Sequence, residues 1–317
     1  MSTEQTLKQL DEFLKSGKIS GSWLIYGPFG VGKRTMLRRF ISKLLTGKER
    51  TDDFFHADLK WIRRDFTDEE KKDIAKNLVA GKALDADDAE KRARKSEITV
   101  DVIRSGINFL SLTSSADRWR VLVIDTADEM NANAANALLK LLEEPPARSI
   151  IFLISHNVGR LLPTIRSRCR RLPVKTLSNV KMKSFILENY PDEENISLLL
   201  DLAQGSIGKL KNIMENDGVA IYQDFLSLLS EKCEDVNHLN SFCDAVSKSE
   251  KSFEMMEDFF LHYLLSLVKS SASDGVKNNA ALDMMSEVQK QMRDIKNLYL
   301  DKKNSLMNLI YKIGRIL

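Results

Sequence analysis

The sequence is poor in the features that mark disulfide-linked and metal-binding proteins. Its 317 residues include only three cysteines, Cys169, Cys233 and Cys243. This odd number and spacing fit neither a disulfide framework nor a zinc pattern, so we predict reduced, mostly buried thiols. The four histidines are scattered and none belongs to an H-E-x-x-H motif. A metal site or a nucleophilic triad therefore has no support in the sequence.

Long apolar runs and a one-sided charge are missing as well. No apolar stretch is long enough to cross a bilayer, and the first twenty residues lack the basic head and apolar run of a secretory signal. We therefore expect a cytoplasmic protein with no membrane partner. The 48 basic and 45 acidic residues give a net charge of only +3. This balance argues against a protein whose whole surface binds nucleic acid, but it allows a local phosphate-contacting patch.

Short apolar runs alternate with helical patterns in the first half of the chain. The runs SWLIYG, RVLVID and SIIFLIS predict buried strands, and the apolar residues that follow Lys33 recur at helical spacing. This alternation predicts an α/β fold with a mostly parallel sheet that is covered on both faces. After about residue 177 the patterns are helical throughout. The length of the chain predicts two or three domains.

The segment GPFGVGKRT, residues 27–35, nearly matches the phosphate-binding loop G-x-x-x-x-G-K-[ST]. Gly27, Gly30 and Gly32 would let backbone N–H groups approach phosphate oxygens, and Lys33 would reach the outer phosphates. The segment follows a predicted strand and precedes a predicted helix, which is the context that this loop requires. Whether it holds a nucleotide or only keeps the shape of the loop remains open.

The Mg²⁺-binding hydroxyl of such loops is missing at its usual position. Arg34 stands there instead, and a guanidinium has no lone pair to offer a metal. Thr35 follows one residue late. Because neighbouring helical residues differ by about 100° around the helix axis, we expect Thr35 to point elsewhere, toward the sheet.

The acidic motif that normally supports hydrolysis is also altered. It consists of an apolar strand that ends in Asp-Glu, in which the Glu orients the attacking water. In VLVIDTADEM, Asp125 is in place, but Thr126 replaces the glutamate. Asp128 and Glu129 lie further along, on the turn into the next helix. Two altered positions in one site indicate that hydrolysis is not the function of this chain.

An arginine follows these motifs in the segment TIRSRC. Arg168 has the planar fork that suits the transition state of phosphoryl transfer. Its position after EEPP and a buried strand strengthens this interpretation. The alternative is that Arg168 belongs, with Arg166, Arg170 and Arg171, to a basic cluster that is merely solvated.

These motifs, in this order, resemble the clamp-loader branch of the AAA+ proteins. The altered catalytic positions with a retained SRC are similar to the non-hydrolysing type of subunit in the bacterial DNA polymerase III clamp loader. The resemblance implies an AAA+ P-loop-type α/β domain at 1–177, a small helical lid at 178–216 and an all-α collar at 217–317. Many such subunits carry a four-cysteine zinc module, but residues 44–59 contain no cysteine. We therefore expect no zinc.

The resemblance also implies a function and partners. Arg168 would act in trans in the ATP site of a neighbouring subunit, while ATP or ADP at the chain's own degenerate site would be held without hydrolysis. The implied partners are the clamp-loader ATPase (gamma/tau) and delta subunits, the sliding clamp, and primed DNA through the assembly, in the nucleoid. One alternative is an autonomous AAA+ ATPase that uses Asp128 or Glu129 as its base. Another is a DNA-binding module that acts alone.

Overall fold

The structure is a computed structural model that describes residues 3–79, 95–111, 118–231, 234–270, 275–298 and 300–316. The chain forms two compact units, Met1–Thr176 and Leu177–Leu317. Cys169 and Cys243 are buried, whereas Cys233 lies outside the described residues. Among the residues described, no three His, Cys, Asp or Glu side chains are grouped in a way that could hold a metal ion.

The first unit alternates strands and helices. In chain order its elements are α1 (Thr3–Lys15), β1 (Gly21–Tyr26), α2 (Lys33–Thr46), β2 (Leu59–Ile62), α3 (Asp68–Val79), α4 (Val100–Ser111), β3 (Arg120–Ile124), a 3₁₀ turn (Ala127–Glu129), α5 (Ala132–Glu143), β4 (Ser149–Ser155), a second 3₁₀ turn (Val158–Arg160), α6 (Pro163–Arg168) and β5 (Arg170–Pro173).

The five strands form one sheet in the order β2-β3-β4-β1-β5, and every neighbouring pair is parallel. Alternate residues of β4 point to opposite faces, as strand geometry requires. Phe152 packs in a core with residues of α1 and α2, whereas Leu153 packs in a second core with residues of α4 and α5. The predicted α/β fold, with a parallel sheet covered on both faces, is confirmed.

Because the strands are parallel, all their carboxyl ends lie along one edge of the sheet, the carboxyl edge, and all their amino ends lie along the other, the amino edge. Their carboxyl ends lead into residues 27–32, into Asp125 and into His156, so these segments meet at one edge. Helix α5 starts from that edge and returns to the opposite one, where β4 begins. Glu143, the last residue of α5, therefore lies toward the amino edge of the sheet.

The second unit is entirely helical in its described part. Its helices are α7 (Asn179–Asn189), α8 (Ile196–Ala203), α9 (Ile207–Glu215), α10 (Gly218–Ser230), α11 (Val236–Lys248), α12 (Glu250–Ser270), α13 (Gly275–Leu298) and α14 (Lys302–Gly314). One hydrophobic core receives residues from all eight. The division of this unit into a lid at 178–216 and a collar at 217–317 stays a prediction. Each helix in the described part of the chain is too short or too polar to span a membrane.

Candidate functional site: an altered phosphate loop and a separate arginine

The phosphate loop has the backbone that its glycines predict. It connects β1 to α2, and Gly27, Gly30 and Gly32 have φ angles of 156°, 74° and 86°. Residues with a side chain rarely adopt such angles. A Cβ atom on Gly27 would lie 2.0 Å from the carbonyl oxygen of Val174. The loop also forms the N-terminus of α2, where N–H groups lack partners within the helix and favour an anion.

Lys33 is folded back onto the loop. Its side chain is buried, and Nζ donates to the carbonyl oxygens of Gly27 and Pro28, both at 2.6 Å. Nζ also lies 2.8 Å from Nδ1 of His156. With Lys33 charged, Nδ1 is the acceptor and the His156 ring is neutral. An incoming phosphate would therefore compete with these three acceptors for the ammonium group.

Burial of this pair opposes its positive charge. Burial lowers the pKa of Lys33 to about 8, although Asp128 and Asp125 partly offset the effect. Burial also lowers the pKa of His156, and the neighbouring charge of Lys33 lowers it further. Both shifts follow from the cost of placing a cation in a desolvated site. The pair therefore carries one positive charge near neutral pH.

Arg34 occupies the Mg²⁺ position with a charge of its own. Its Nε donates to Oδ2 of Asp125 at 2.7 Å, and a second guanidinium nitrogen lies 2.7 Å from the same oxygen. Nε1 of Trp61 donates to that oxygen at 3.2 Å. The carboxylate of Asp125 is almost fully buried and already binds one cation, through two of its nitrogens, and one indole N–H. Phosphate groups suit this loop, but Mg²⁺ does not, because Arg34 takes its carboxylate ligand and repels its charge.

Thr35 does not compensate for the missing hydroxyl. It is exposed, so the prediction that it points toward the sheet is wrong. The sheet-facing side of α2 is filled by buried apolar residues, among them Met36, Leu37 and Phe40. Thr35 therefore falls on the solvent side of the helix.

The acids after β3 also have other partners. Thr126 has the left-handed φ of 59° and leads into the 3₁₀ turn that contains Asp128 and Glu129. Oδ1 of Asp128 accepts the backbone N–H of His156 at 2.9 Å. Oε2 of Glu129 lies 2.9 Å from Nε of Arg64. Burial raises the pKa of Glu129, and the negative charges of Asp128 and Asp125 add to this effect.

Arg168 lies apart from this site. It is the last residue of α6, and its Nε donates to Oε1 of Glu143 at 2.6 Å. A second nitrogen donates to the carbonyl oxygen of Thr164 at 2.9 Å. The side chain remains about one-third exposed. Because Glu143 lies toward the amino edge of the sheet, Arg168 does not contribute to the phosphate loop of its own chain.

The arginines near Arg168 are not a uniform solvated cluster. The guanidinium of Arg170 lies over the ring of Trp23, 5.2 Å from its centroid, and donates to the carbonyl oxygen of Lys18. Arg171 donates to the carbonyl oxygen of Arg166 from two nitrogens, at 3.2 and 3.3 Å. Cys169, which lies between Arg168 and Arg170 in the chain, is buried, and burial raises the pKa of its thiol to about 12. Arg170 and Arg171 are thus bound to neutral groups of their own chain.

The structure places Gly27, Gly30, Gly32, Lys33, Arg34 and Asp125 at one edge of the sheet and leaves Thr35 on the solvent side of α2, and the role of these residues in holding a nucleotide stays a prediction. It adds His156 and Trp61 to this site, and Glu143 as the partner of Arg168 at the opposite edge; sequence reasoning missed all three. A usable signal existed for His156, because it directly follows the predicted strand SIIFLIS at the edge where parallel strands carry binding groups. The contacts of Trp61 and Glu143 had no comparable signal.

Comparison with known proteins gives matches to subunits of DNA polymerase III. The family model described as DNA polymerase III, delta subunit, matches residues 2–178. DNA polymerase III subunit delta' of Pseudomonas aeruginosa is 33% identical over 58% of this chain and 53% of its own length. DNA polymerase III subunit gamma of Buchnera aphidicola subsp. Schizaphis graminum is 29% identical over 66% of this chain and 55% of its own length. The chain thus spans about half the length of the curated relatives that it matches.

A solved structure extends the likeness over both units. The DNA polymerase III gamma subunit-related protein of Thermotoga maritima aligns with 98% of this chain and 99% of its own, with a TM-score of 0.52 and 17% identity. At this level of identity the match concerns the fold alone.

Proposed function

The chain belongs to the delta-prime clamp-loader family of DNA polymerase III, and from this premise we propose that it is a non-hydrolysing subunit that supplies an arginine finger to a neighbouring ATPase subunit. The proposed partners are gamma/tau-type and delta-type subunits, with which it loads a sliding clamp onto primed DNA. Its cellular location would be that of replication, at the nucleoid.

The observation that carries the proposal is the ion pair between Arg34 and Asp125. Hydrolysis by P-loop ATPases needs a metal between the β- and γ-phosphates and an oriented water. Here the carboxylate that would serve the metal is bound to a guanidinium, and a threonine stands at the position of the water-orienting glutamate. ATP or ADP in this loop would be held by Lys33 and the glycine backbone, without metal-assisted chemistry.

The exposed Arg168 supports the second half of the proposal. An arginine finger must reach a phosphate of another subunit, so it must lie at a surface and away from its own nucleotide site. Arg168 meets both conditions, whereas Arg34 fails the second, because it binds Asp125 beside the phosphate loop of its own chain. The helices of residues 217–317 carry no chemical motif, and we assign them to oligomerisation within the loader ring.

A reconstitution experiment tests the proposal. The chain alone, purified to remove contaminating ATPases, should show no Mg²⁺-dependent ATP turnover, and the loader assembly should hydrolyse ATP more slowly when the chain is omitted. Turnover by the isolated chain that disappears in a Lys33→Ala variant would instead support an autonomous ATPase. A form truncated after residue 216 should no longer enter the assembly, and its co-elution with the ATPase subunits would refute the role given to the last helices.

A further inference from the structure

The guanidinium group of Arg168 is engaged on its own chain from three sides. Nε and a terminal nitrogen both contact Oε1 of Glu143, and the other terminal nitrogen donates to the carbonyl oxygen of Thr164. A finger that acts on a neighbouring phosphate has to leave these acceptors. The structure therefore describes Arg168 in a conformation that differs from the one its proposed function requires.

Glu143 is an unfavourable residue for the place it occupies. It is the last residue of α5, where the helix dipole is negative and a carboxylate is destabilising. The positive charge of Arg168 offsets this local negative potential, and this attraction stabilises the contact between Arg168 and Glu143. The side chains of Glu143 and Arg168 are 47% and 32% exposed, so the pair is weak and readily exchanged.

A carboxylate and a phosphate compete for the same planar fork. We propose that Glu143 is a positioning residue that holds Arg168 in reserve and competes for it with the phosphate of the neighbouring subunit. This inference rests on the proposed function of Arg168. When the phosphate of the neighbouring subunit is in place, Arg168 leaves Glu143 and binds that phosphate. Until then, the carboxylate of Glu143 opposes the movement of Arg168 into the neighbouring site.

The test is a Glu143→Gln variant in the complete loader assembly. Glutamine keeps the size of the side chain and an oxygen acceptor for Arg168 but removes the charge. We expect kcat/KM for ATP hydrolysis, with clamp and primed DNA present, to rise about 1.5- to 5-fold, which corresponds to the usual strength of an exposed ion pair. The gain should shrink as NaCl rises from about 0.05 M to about 0.5 M, because salt screens the pair.

The matched control is Glu144→Gln, which removes the same charge from the next residue, also exposed, and should leave kcat/KM unchanged. A double variant, Glu143→Gln with Arg168→Ala, shows whether the effect acts through the finger. A gain that persists in the double variant would overturn the inference, because the charge of Glu143 would then act on ATP directly. An unchanged or lower kcat/KM in Glu143→Gln, with an unchanged melting temperature, would overturn it too.

The same series separates the inference from the function on which it rests. If Arg168→Ala slows hydrolysis and Glu143→Gln does not accelerate it, the inference alone fails. If Arg168→Ala leaves hydrolysis unchanged, the finger assignment and the inference fail together.

Discussion

Two arginines in the first unit each bind a carboxylate, but at opposite edges of the sheet and in different surroundings. Arg34 binds Asp125, whose side chain is 3% exposed, whereas Arg168 binds Glu143, whose side chain is 47% exposed. Removing a cation from a buried carboxylate is costly, and removing one from an exposed carboxylate is not. The comparison teaches that an arginine–carboxylate pair is hard to separate where the carboxylate is buried and easy to separate where both side chains are partly exposed.

The largest expected effect concerns Lys33, the buried lysine that precedes Arg34 in the phosphate loop. With its pKa lowered to about 8, Lys33 loses its proton in the folded state before it does so in the unfolded state. The unfolded state then binds more protons between about pH 8 and the ordinary lysine pKa, so stability rises with pH in that window. Relative to Lys33→Met, the free energy of unfolding of the wild type should increase by about 3 kcal/mol across it.

Urea denaturation at several pH values measures this difference. Lys140→Met, which removes an exposed lysine of α5, is the control and should show no such trend. If the difference in the free energy of unfolding between wild type and Lys33→Met stays constant with pH, Lys33 is solvated and does not bind the carbonyl groups of its loop.

Arg34→Ala should destabilise the protein next most strongly. It leaves Asp125 buried with only the indole N–H of Trp61, and we expect a loss of about 1–3 kcal/mol in the free energy of unfolding. Arg39→Ala removes an arginine whose partners, Glu4 and Glu49, are exposed, and it should cost less than about 1 kcal/mol. Urea denaturation measures both losses in the free energy of unfolding. Equal losses would show that the pair with a buried carboxylate is no stronger than the exposed pairs.

Arg34→Thr should reopen the metal position. It restores the hydroxyl after Lys33 and releases Asp125 from its guanidinium. We expect the affinity of this variant for ATP to fall at least about tenfold, or about 1.4 kcal/mol, when EDTA removes Mg²⁺. ATP binding by the wild type should respond to EDTA by less than about twofold. Calorimetry on both proteins measures this, and an equal dependence on Mg²⁺ would show that Arg34 does not exclude the metal.

The smallest expected effect is on the stability of the exposed pair. Arg168→Ala and Glu143→Gln should each change the free energy of unfolding by less than about 1 kcal/mol, because both side chains are partly solvated. Thermal unfolding of the isolated chain measures this. A loss as large as that of Arg34→Ala would make Arg168 a structural arginine.

The sequence predicts the strands, the glycine loop and the alternation of elements because these depend on local patterns. It also predicts that Arg34 and Thr126 stand at the positions of catalytic residues. It does not show where Arg34 binds, because Asp125 lies 91 positions away and only the parallel sheet brings the two together. The contact of Lys33 with His156, 123 positions apart, was missed for the same reason. Thr35 was misplaced because the apolar residues that follow it, not its own spacing from Lys33, decide which side of α2 faces the sheet.

The central claim is that Arg168 works in the ATP site of another subunit, while the chain's own phosphate loop has no place for Mg²⁺ and hydrolyses no ATP. The most direct test is the rate of ATP hydrolysis by the complete loader assembly, with clamp and primed DNA, containing wild type, Arg168→Ala or Arg168→Lys. Fingers supplied in trans are worth about 10³–10⁵ in GTPases, and we predict a large loss here for both variants, since lysine lacks the fork. Arg170→Ala and Arg171→Ala, corrected for any loss of folded protein, should retain the rate. An unchanged rate in Arg168→Ala, or equal losses in all three alanine variants, would contradict the account.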